Sequence, residues 1–469
     1  MRKMFSDQLF DSNNQVRAFA AKLYEGVKDF PLVSPHGHVP PQLFADPGFR
    51  FGSPAELLIM PDHYVLRLLY SQGISLPSLG ISGNADQTAE TDHRKIWQTF
   101  ADNFYLFNGT PSGFWISAEL RDVFGVGEKL TGETAQDIYD QIEMQLATPE
   151  FSPRALYARF DLEVLCTTDA ATDRLEEHQA IRDSSWDGKI LPTFRPGGVI
   201  NLDAPGWRAN IDLLSDVSGI SIVDYDAFIE ALENRRAYFK MMGATATDHS
   251  AISSDTSALS LNAAREIFDA ALRGDISGAA VHQFSAHMLY EMARMSTEDG
   301  LVMQLHPGSY RNHNLELLDA FGPDMGADIP VKIDFTKALK PLLDSFGNHP
   351  DLTMILYTLD ESTYSRELAP LAGHYPTLKL GAPWWFHDSP NGIARYLDRV
   401  VETAGIYNLA GFVDDARSFP SIPARHDVWR RSICNWLGDL VARHLVDFTD
   451  AEQMAAALVY GLVKRAYRL

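Results

Sequence analysis

The sequence predicts an α/β fold, a (β/α)8 (TIM) barrel with a helical subdomain inserted after the first strand. Three observations predict it. Short apolar runs ending in polar or ionisable residues occur eight times along the chain, and near-continuous apolar runs suit parallel strands buried on both faces. Most segments between them repeat apolar residues at three- and four-residue steps, the period of an amphipathic helix. One gap, between the first and second runs, is too long for a loop and a single helix, and its text is helix-like and aromatic. Alternating strands and helices imply right-handed βαβ units, and eight such units imply a closed barrel. A doubly wound open sheet is the structural runner-up.

The first run, FPLVSPHGH (30–38), ends in two histidines one residue apart. Side chains alternate along a strand, so His36 and His38 face the same way. Pro40 and Pro41 then stop the strand, since proline lacks the N–H a ladder needs. The long gap contains SPAELLIMPDHYVLRLLYSQG, RKIWQTFADNFYLFNGTPSGFWISAELRDVFG and TAQDIYDQIEMQLA. These read as an inserted helical subdomain over 42–155, leaving 1–41 and 156–469 for the barrel. An insert at that point sits over the C-terminal mouth of a barrel.

The remaining runs follow in order: LEVLCTTD (162–169), KILPTFRP (189–196), GATATDHS (243–250), LVMQLHPG (301–308), LTMILYTLD (352–360), LKLGAPWWF (378–386) and LAGFVDDAR (409–417). Helical spacers include ATDRLEEHQAIRDS after the second run, AAREIFDAALRGD and SAHMLYEMARMS before the fifth, NLELLDAFG and TKALKPLLDSFG before the sixth, and NGIARYLDRVVETAG before the eighth.

Composition narrows the function classes. The chain has 469 residues, 45% of them hydrophobic and 22% charged, as in folded globular proteins. A net charge of −22 argues against nucleic acid, whose phosphates need Lys and Arg, but leaves room for a small anion held by one or two local arginines. Cys166 and Cys434 have neither disulfide-framework nor metal-ligand spacing and read as buried thiols. The opening MRKMFSDQLFDSNNQ lacks the apolar stretch of a signal peptide, and no window reaches the length of a membrane span. A cytoplasmic protein with no membrane partner is expected, and a homo-oligomer is compatible with the sequence.

In a barrel, residues at the C-terminal strand ends converge on one site. Here they are His36, His38, Arg195, Asp248, His249, His306, Asp360, Trp384, Trp385, Asp414, Asp415 and Arg417. His36, His38 and one aspartate would supply two nitrogens and an oxygen with open positions left over, the pattern of a catalytic metal site. Zinc is the default ion, and manganese or iron would accept the same ligands. Arg195, followed by Pro and Gly, suits an oxyanion clamp, because guanidinium binds carboxylate and phosphate bidentately. Asp414 and Asp415 cannot both point inward from a regular strand.

These residues resemble those of the uronate (glucuronate) isomerases of the amidohydrolase superfamily. The carriers are the HxH of strand one, PDHYVLR (61–67), CTTD (166–169), FRP (194–196), TDHS (247–250), QLHPGSYRNHN (304–314), LGAPWWFHDSP (380–390) and DDARSFPSIPARHDVWRR (414–431). The resemblance spans nearly the whole chain. It implies an aldose–ketose isomerase that converts D-glucuronate to D-fructuronate and D-galacturonate to D-tagaturonate, with one divalent metal, usually zinc. It implies His36, His38 and Asp415 as ligands, with Asp415 also the leading catalytic base. It implies His63 and Tyr64 over the site from the insert, acting in catalysis and substrate binding, and Arg195, His306 and Arg417 completing the pocket. His249, Trp384 and Trp385 are further substrate-binding candidates, and His387 and Asp414 are given no role.

Two motifs depart from the family's usual text: DHS stands for DHG, and WWFHD for WWFND. Binuclear relatives carry a strand-four lysine and a strand-six histidine; TATDHS and LYTLDES offer neither, so a mononuclear site is expected. The expected chemistry is proton transfer through a cis-enediol, with a direct hydride shift as the competing route. A lactonase-like metal-dependent hydrolase on the same scaffold is the functional alternative.

Overall fold

Seven of the eight apolar runs contain strands in the structure, a computed structural model that describes residues 8–84, 88–385 and 387–469. The first holds β1 (Leu32–Ser34). The second holds β2 (Leu162–Cys166) and β3 (Asp169–Ala170), and the third holds β4 (Ile190–Leu191) and β5 (Phe194–Arg195). Then come β6 (Ala246–Ala251) and β7 (Val302–Pro307), a short pair β8 (Ser309–Tyr310) and β9 (Ile329–Pro330), and β10 (Met354–Leu356) and β11 (Leu378–Leu380). Phe386, the last residue of the seventh run, lies outside the described residues, as do the first seven residues of the chain.

The pairing is parallel and follows chain order. One sheet runs β1–β2–β4 and another β3–β5–β6–β7–β10–β11. Pro192, which has no N–H, separates β4 from β5. The ladder bridges that break: Thr167 N donates to Leu191 O (2.9 Å) and Asp169 N to Thr193 O (3.0 Å). The eighth run forms no strand, but Leu409 makes a parallel bridge to Leu380, and His38 N donates to Ala416 O (2.9 Å). The run's end is thus hydrogen-bonded to the residues just past β1. The sequence expectation of eight regular strands overstates their length, because the polar and proline-containing strand ends turn toward the site instead of continuing the ladder.

Between β1 and β2 the described residues form helices and no strand. The α-helices are Gln42–Ala45, Pro54–Leu58, His63–Tyr70, His93–Asp102, Pro111–Ala118, Ala135–Leu146 and Pro153–Arg159. Their apolar faces build a core around Phe44, Leu69, Trp97, Phe100, Phe107 and Ile142. Leu32, Leu162 and Leu165 of β1 and β2 enter that core, while Val33, Val164 and Cys166 face the larger core of strands and outer helices. Val164, Leu165 and Cys166 alternate between the two cores, while Leu162 at the strand's start shares the parity of Val164 but lies in the helical core, so these strands stand between both cores.

The antiparallel β8–β9 hairpin was not expected, since two-residue strands carry no periodicity. Its excursion, with the helix Leu315–Phe321, reaches across to the helical segment. Gly326 has φ of +74°, and a Cβ there would lie 2.5 Å from Arg67 Cβ and 2.7 Å from the His63 carbonyl, so glycine permits the close approach. Both cysteines are free and buried, and burial pushes each thiol up to about 12. Among the described residues no helix is long and apolar enough to cross a membrane.

Candidate active site

Past the end of β1 the imidazoles of His36 and His38 stand 5.5 Å apart between ring centres and nearly perpendicular. Both meet Asp415: His38 Nε2 lies 3.2 Å and His36 Nε2 3.7 Å from Asp415 Oδ1. Neighbouring ligands of one ion with bonds of about 2.0–2.2 Å stand roughly 3.0–3.6 Å apart. His36, His38 and Asp415 could therefore hold a metal ion, and their candidate ligand atoms all lie within 4.8 Å of one another. Asp415 Oδ1 is buried and accepts no hydrogen bond among the described residues, which suits a metal-facing oxygen.

Local backbone chemistry aims these groups. Asp415 has φ of +47°, an uncommon conformation for a residue with a side chain. Asp414 turns the other way, 3.1 Å from His426 Nε2. Thr168 Oγ1 donates to the Gly37 carbonyl (3.3 Å) and lies 2.8 Å from His38 Nδ1. With that hydroxyl proton committed, His38 Nδ1 is the donor to Thr168, and its Nε2 lone pair faces Asp415. Burial brings His38 down to about 4, opposed by Asp415. Burial acts to raise Asp415, but His38, His36 and Arg417 hold it below the usual carboxylate range.

A second cluster adjoins the first. Asp248, fully buried on β6, lies 2.5 Å from His306 Nε2, 3.4 Å from Arg195 Nε and 3.9 Å from His36 Nδ1. Burial opposes its charge, but His306, His36 and Arg195 hold it well below the carboxylate range, so it is ionised. Its neighbour His249 points to the opposite face of the strand and bonds Thr247 Oγ1 (2.9 Å). The structure thus brings His306 and Arg195 to the site but not His249.

The helical segment between β1 and β2 and the residues past β11 close over these groups. Asp62 caps the helix His63–Tyr70 by accepting from Tyr64 N (2.8 Å), which sets His63 and Tyr64 in its first turn. The two rings stack at 4.6 Å, and His63 lies 5.8 Å from Trp385. Burial holds His63 neutral, well below its ordinary value, and raises the Tyr64 phenol well above its own. Trp384 Nε1 donates to Asp415 Oδ2 (3.2 Å), and its ring lies 4.8 Å from His306 and 4.7 Å from Trp385. Arg417 lies close enough to lower His38 and His63, and its Nη2 is 3.5 Å from Asp324. His387 bonds the Leu359 carbonyl (3.1 Å), part of the wall and not of the cluster.

Sequence reasoning gave no role to Asp248, Thr168, Arg311, Asp388 or Arg425. Arg425 is buried, 3.8 Å over the Trp115 ring, with Nη1 3.4 Å from Asp388. Its motif was visible, but its partners come from remote segments. Arg311 lines a cavity of about 780 Å³ together with Arg195 and Ser250.

Comparison with known proteins gives one family. The sequence profile described as glucuronate isomerase matches residues 1–467. A uronate isomerase of Nostoc punctiforme is 56% identical over 463 residues, 99% of this chain and 98% of that protein. The crystal structure of glucuronate isomerase from Caulobacter crescentus superposes with a TM-score of 0.97 at 46% identity, covering 99% of this chain and 97% of that one. That of uronate isomerase from Thermotoga maritima superposes with a TM-score of 0.92 at 28% identity over all of both chains.

Proposed function

The chain belongs to the glucuronate isomerase family and is an isomerase by that membership; we propose that it interconverts D-glucuronate with D-fructuronate and D-galacturonate with D-tagaturonate at the His36–His38–Asp415 site. The observation that carries this reading is the convergence of those three residues beside the Asp248–His306–Arg195 cluster. The scaffold we infer is a (β/α)8 barrel built of 1–41 and 156–469, with 42–155 as a helical insert over its mouth. Parallel neighbours in chain order, the bond from His38 N to Ala416 O and the separate helical core support it.

His36, His38 and Asp415 would hold one divalent ion, with zinc suited to two imidazoles and a carboxylate. Such an ion supplies Lewis-acid stabilisation of charge developing on a substrate oxygen. The chain's own residues do the rest. Asp415, ionised, takes the proton from C2, and the C2–H electrons form the C1=C2 bond of a cis-enediol. Tyr64, protonated because burial raises it, gives its proton to O1 and recovers one from O2. Asp415 then returns its proton to C1, leaving the carbonyl at C2. The Asp248–His306 pair orients hydroxyls, and neutral His63 assists ring opening. Trp384 and Trp385 form a wall, Trp384 also steadying Asp415. An arginine holds the sugar carboxylate, Arg195 and Arg417 being the candidates that the family resemblance named.

The test is product formation from D-glucuronate with and without a chelator, followed by the reaction in deuterated water. D-fructuronate that disappears on chelation is the expected result, with solvent deuterium at C1 of the ketose. Hydrolysis of a lactone with no action on D-glucuronate would instead place the chain with the hydrolases. Deuterium-free product formed alongside full exchange of the hydroxyls would favour a hydride shift over the enediol.

A further inference from the structure

Arg311 follows β8, and its guanidinium is held from three sides. Nη1 lies 2.6 Å from Asp328 Oδ2, Nη2 donates to Ser250 Oγ (3.2 Å), and the group's carbon sits 4.7 Å over the Trp385 ring. The side chain remains 31% exposed, and it lines the same cavity as Arg195. A guanidinium fixed by an ion pair, a hydrogen bond and an aromatic face loses little further freedom when it binds an anion, and three of its five N–H groups are not used by these two bonds.

Its height above the metal-ligand cluster is the decisive quantity. Ser250 stands two residues beyond Asp248 on the same face of β6, about 7 Å further toward the mouth at 3.3 Å per residue. Asp248 is itself 3.9 Å from His36. Five C–C bonds of about 1.5 Å carry an extended six-carbon sugar acid roughly 6 Å from its carbonyl carbon to its carboxylate. A substrate with C1 and C2 beside Asp415 would bring its carboxylate to the level of Arg311. Arg417 is tied instead to Asp324, 3.5 Å away in the same excursion. Resting on the uronate reading above, we propose that Arg311 is a specificity-determining residue that receives the terminal carboxylate in the cavity it lines with Arg195.

The competing role for Arg311 is to anchor the hairpin through Asp328, and three variants separate the roles. Arg311→Met should raise KM for D-glucuronate roughly ten- to a hundredfold with kcat little changed, as loss of a charge-assisted contact requires. Arg311→Lys should recover part of the loss. Binding is then compared for L-gulonate and D-glucitol, which differ only in the terminal carboxylate. The wild type should favour L-gulonate, Arg311→Met should shrink that preference by a similar factor, and Asp328→Asn, which breaks the hairpin pair but keeps the guanidinium, should retain it. If Asp328→Asn behaves like Arg311→Met, or if Arg311→Met weakens both ligands alike, Arg311 is an anchor and the proposal is overturned. Wild-type turnover of D-glucuronate reports separately on the functional reading, because the L-gulonate to D-glucitol ratio needs no catalysis.

Discussion

At the scale of the residue, Asp415 carries more than one demand. It stands against both histidines, takes a hydrogen bond from Trp384 and sits at a φ of +47°. Asp415→Asn removes the charge that suits both a cation and proton abstraction. The expected outcome is a kcat lower by about 10³–10⁴, the upper range of general-base catalysis, together with less metal bound per chain by elemental analysis. An unchanged far-ultraviolet spectrum would separate this from unfolding, and retained activity would mean that another group is the base. The histidine pair was legible because HxH ends the first apolar run, whereas the choice of Asp415 over Asp414 came from the family resemblance. Asp248 was not assigned, since a strand's parity decides which of Asp248 and His249 faces the site, and parity is a property of the folded ladder. Thr168 was hidden for the same reason: its partner His38 lies 130 residues away.

At the scale of the element, helices were legible in their positions and less so in their ends. The spacer before the fifth run appears as the helix Gly278–Asp299, started by Ser277, whose hydroxyl accepts from Ala280 N. The β8–β9 hairpin was invisible because so short a pairing has no period, yet it delivers Arg311. The π-helical turn Glu119–Val123 places Glu119 in the buried junction with Arg425 and Asp62. Burial, against the pull of Arg425, raises Glu119 from 4.5 to about 8. The folded state therefore holds a proton that the unfolded chain releases, so this residue's contribution is fully present below about 4.5 and is lost as pH rises toward about 8. The slope is at most about 1.4 kcal/mol per pH unit. Glu119→Gln, neutral throughout, should unfold at a higher temperature than the wild type at pH 8, with the gap closing toward pH 5. Thermal scans across that range check it, and a gap independent of pH would contradict the assignment of a buried neutral carboxyl.

At the scale of the whole molecule, the order of strands and the long helical gap were readable because each is a matter of spacing, whereas the joint between the two cores was not. That joint is aromatic. Phe419, buried just after the Asp415 segment, lies 5.2 Å from Phe44, 6.4 Å from Phe51 and 5.5 Å from Phe160, all in the helical core. Beside it Ser418 Oγ donates to the Leu57 carbonyl (2.9 Å). β1 and β2 also give residues to both cores, so neither core can open without stripping cover from β1, which leads into His36 and His38, and from its neighbour β2. This architecture predicts a single cooperative unfolding transition despite the length of the helical segment. Phe419→Ala deletes a buried ring and should cost about 3–5 kcal/mol. In calorimetry the whole endotherm should move down as one, and turnover should fall because His63 and Tyr64 belong to the helical segment that Phe419 packs against. Two endotherms, with only the lower one displaced, would show that the helical segment unfolds by itself and that Phe419 is packing internal to it.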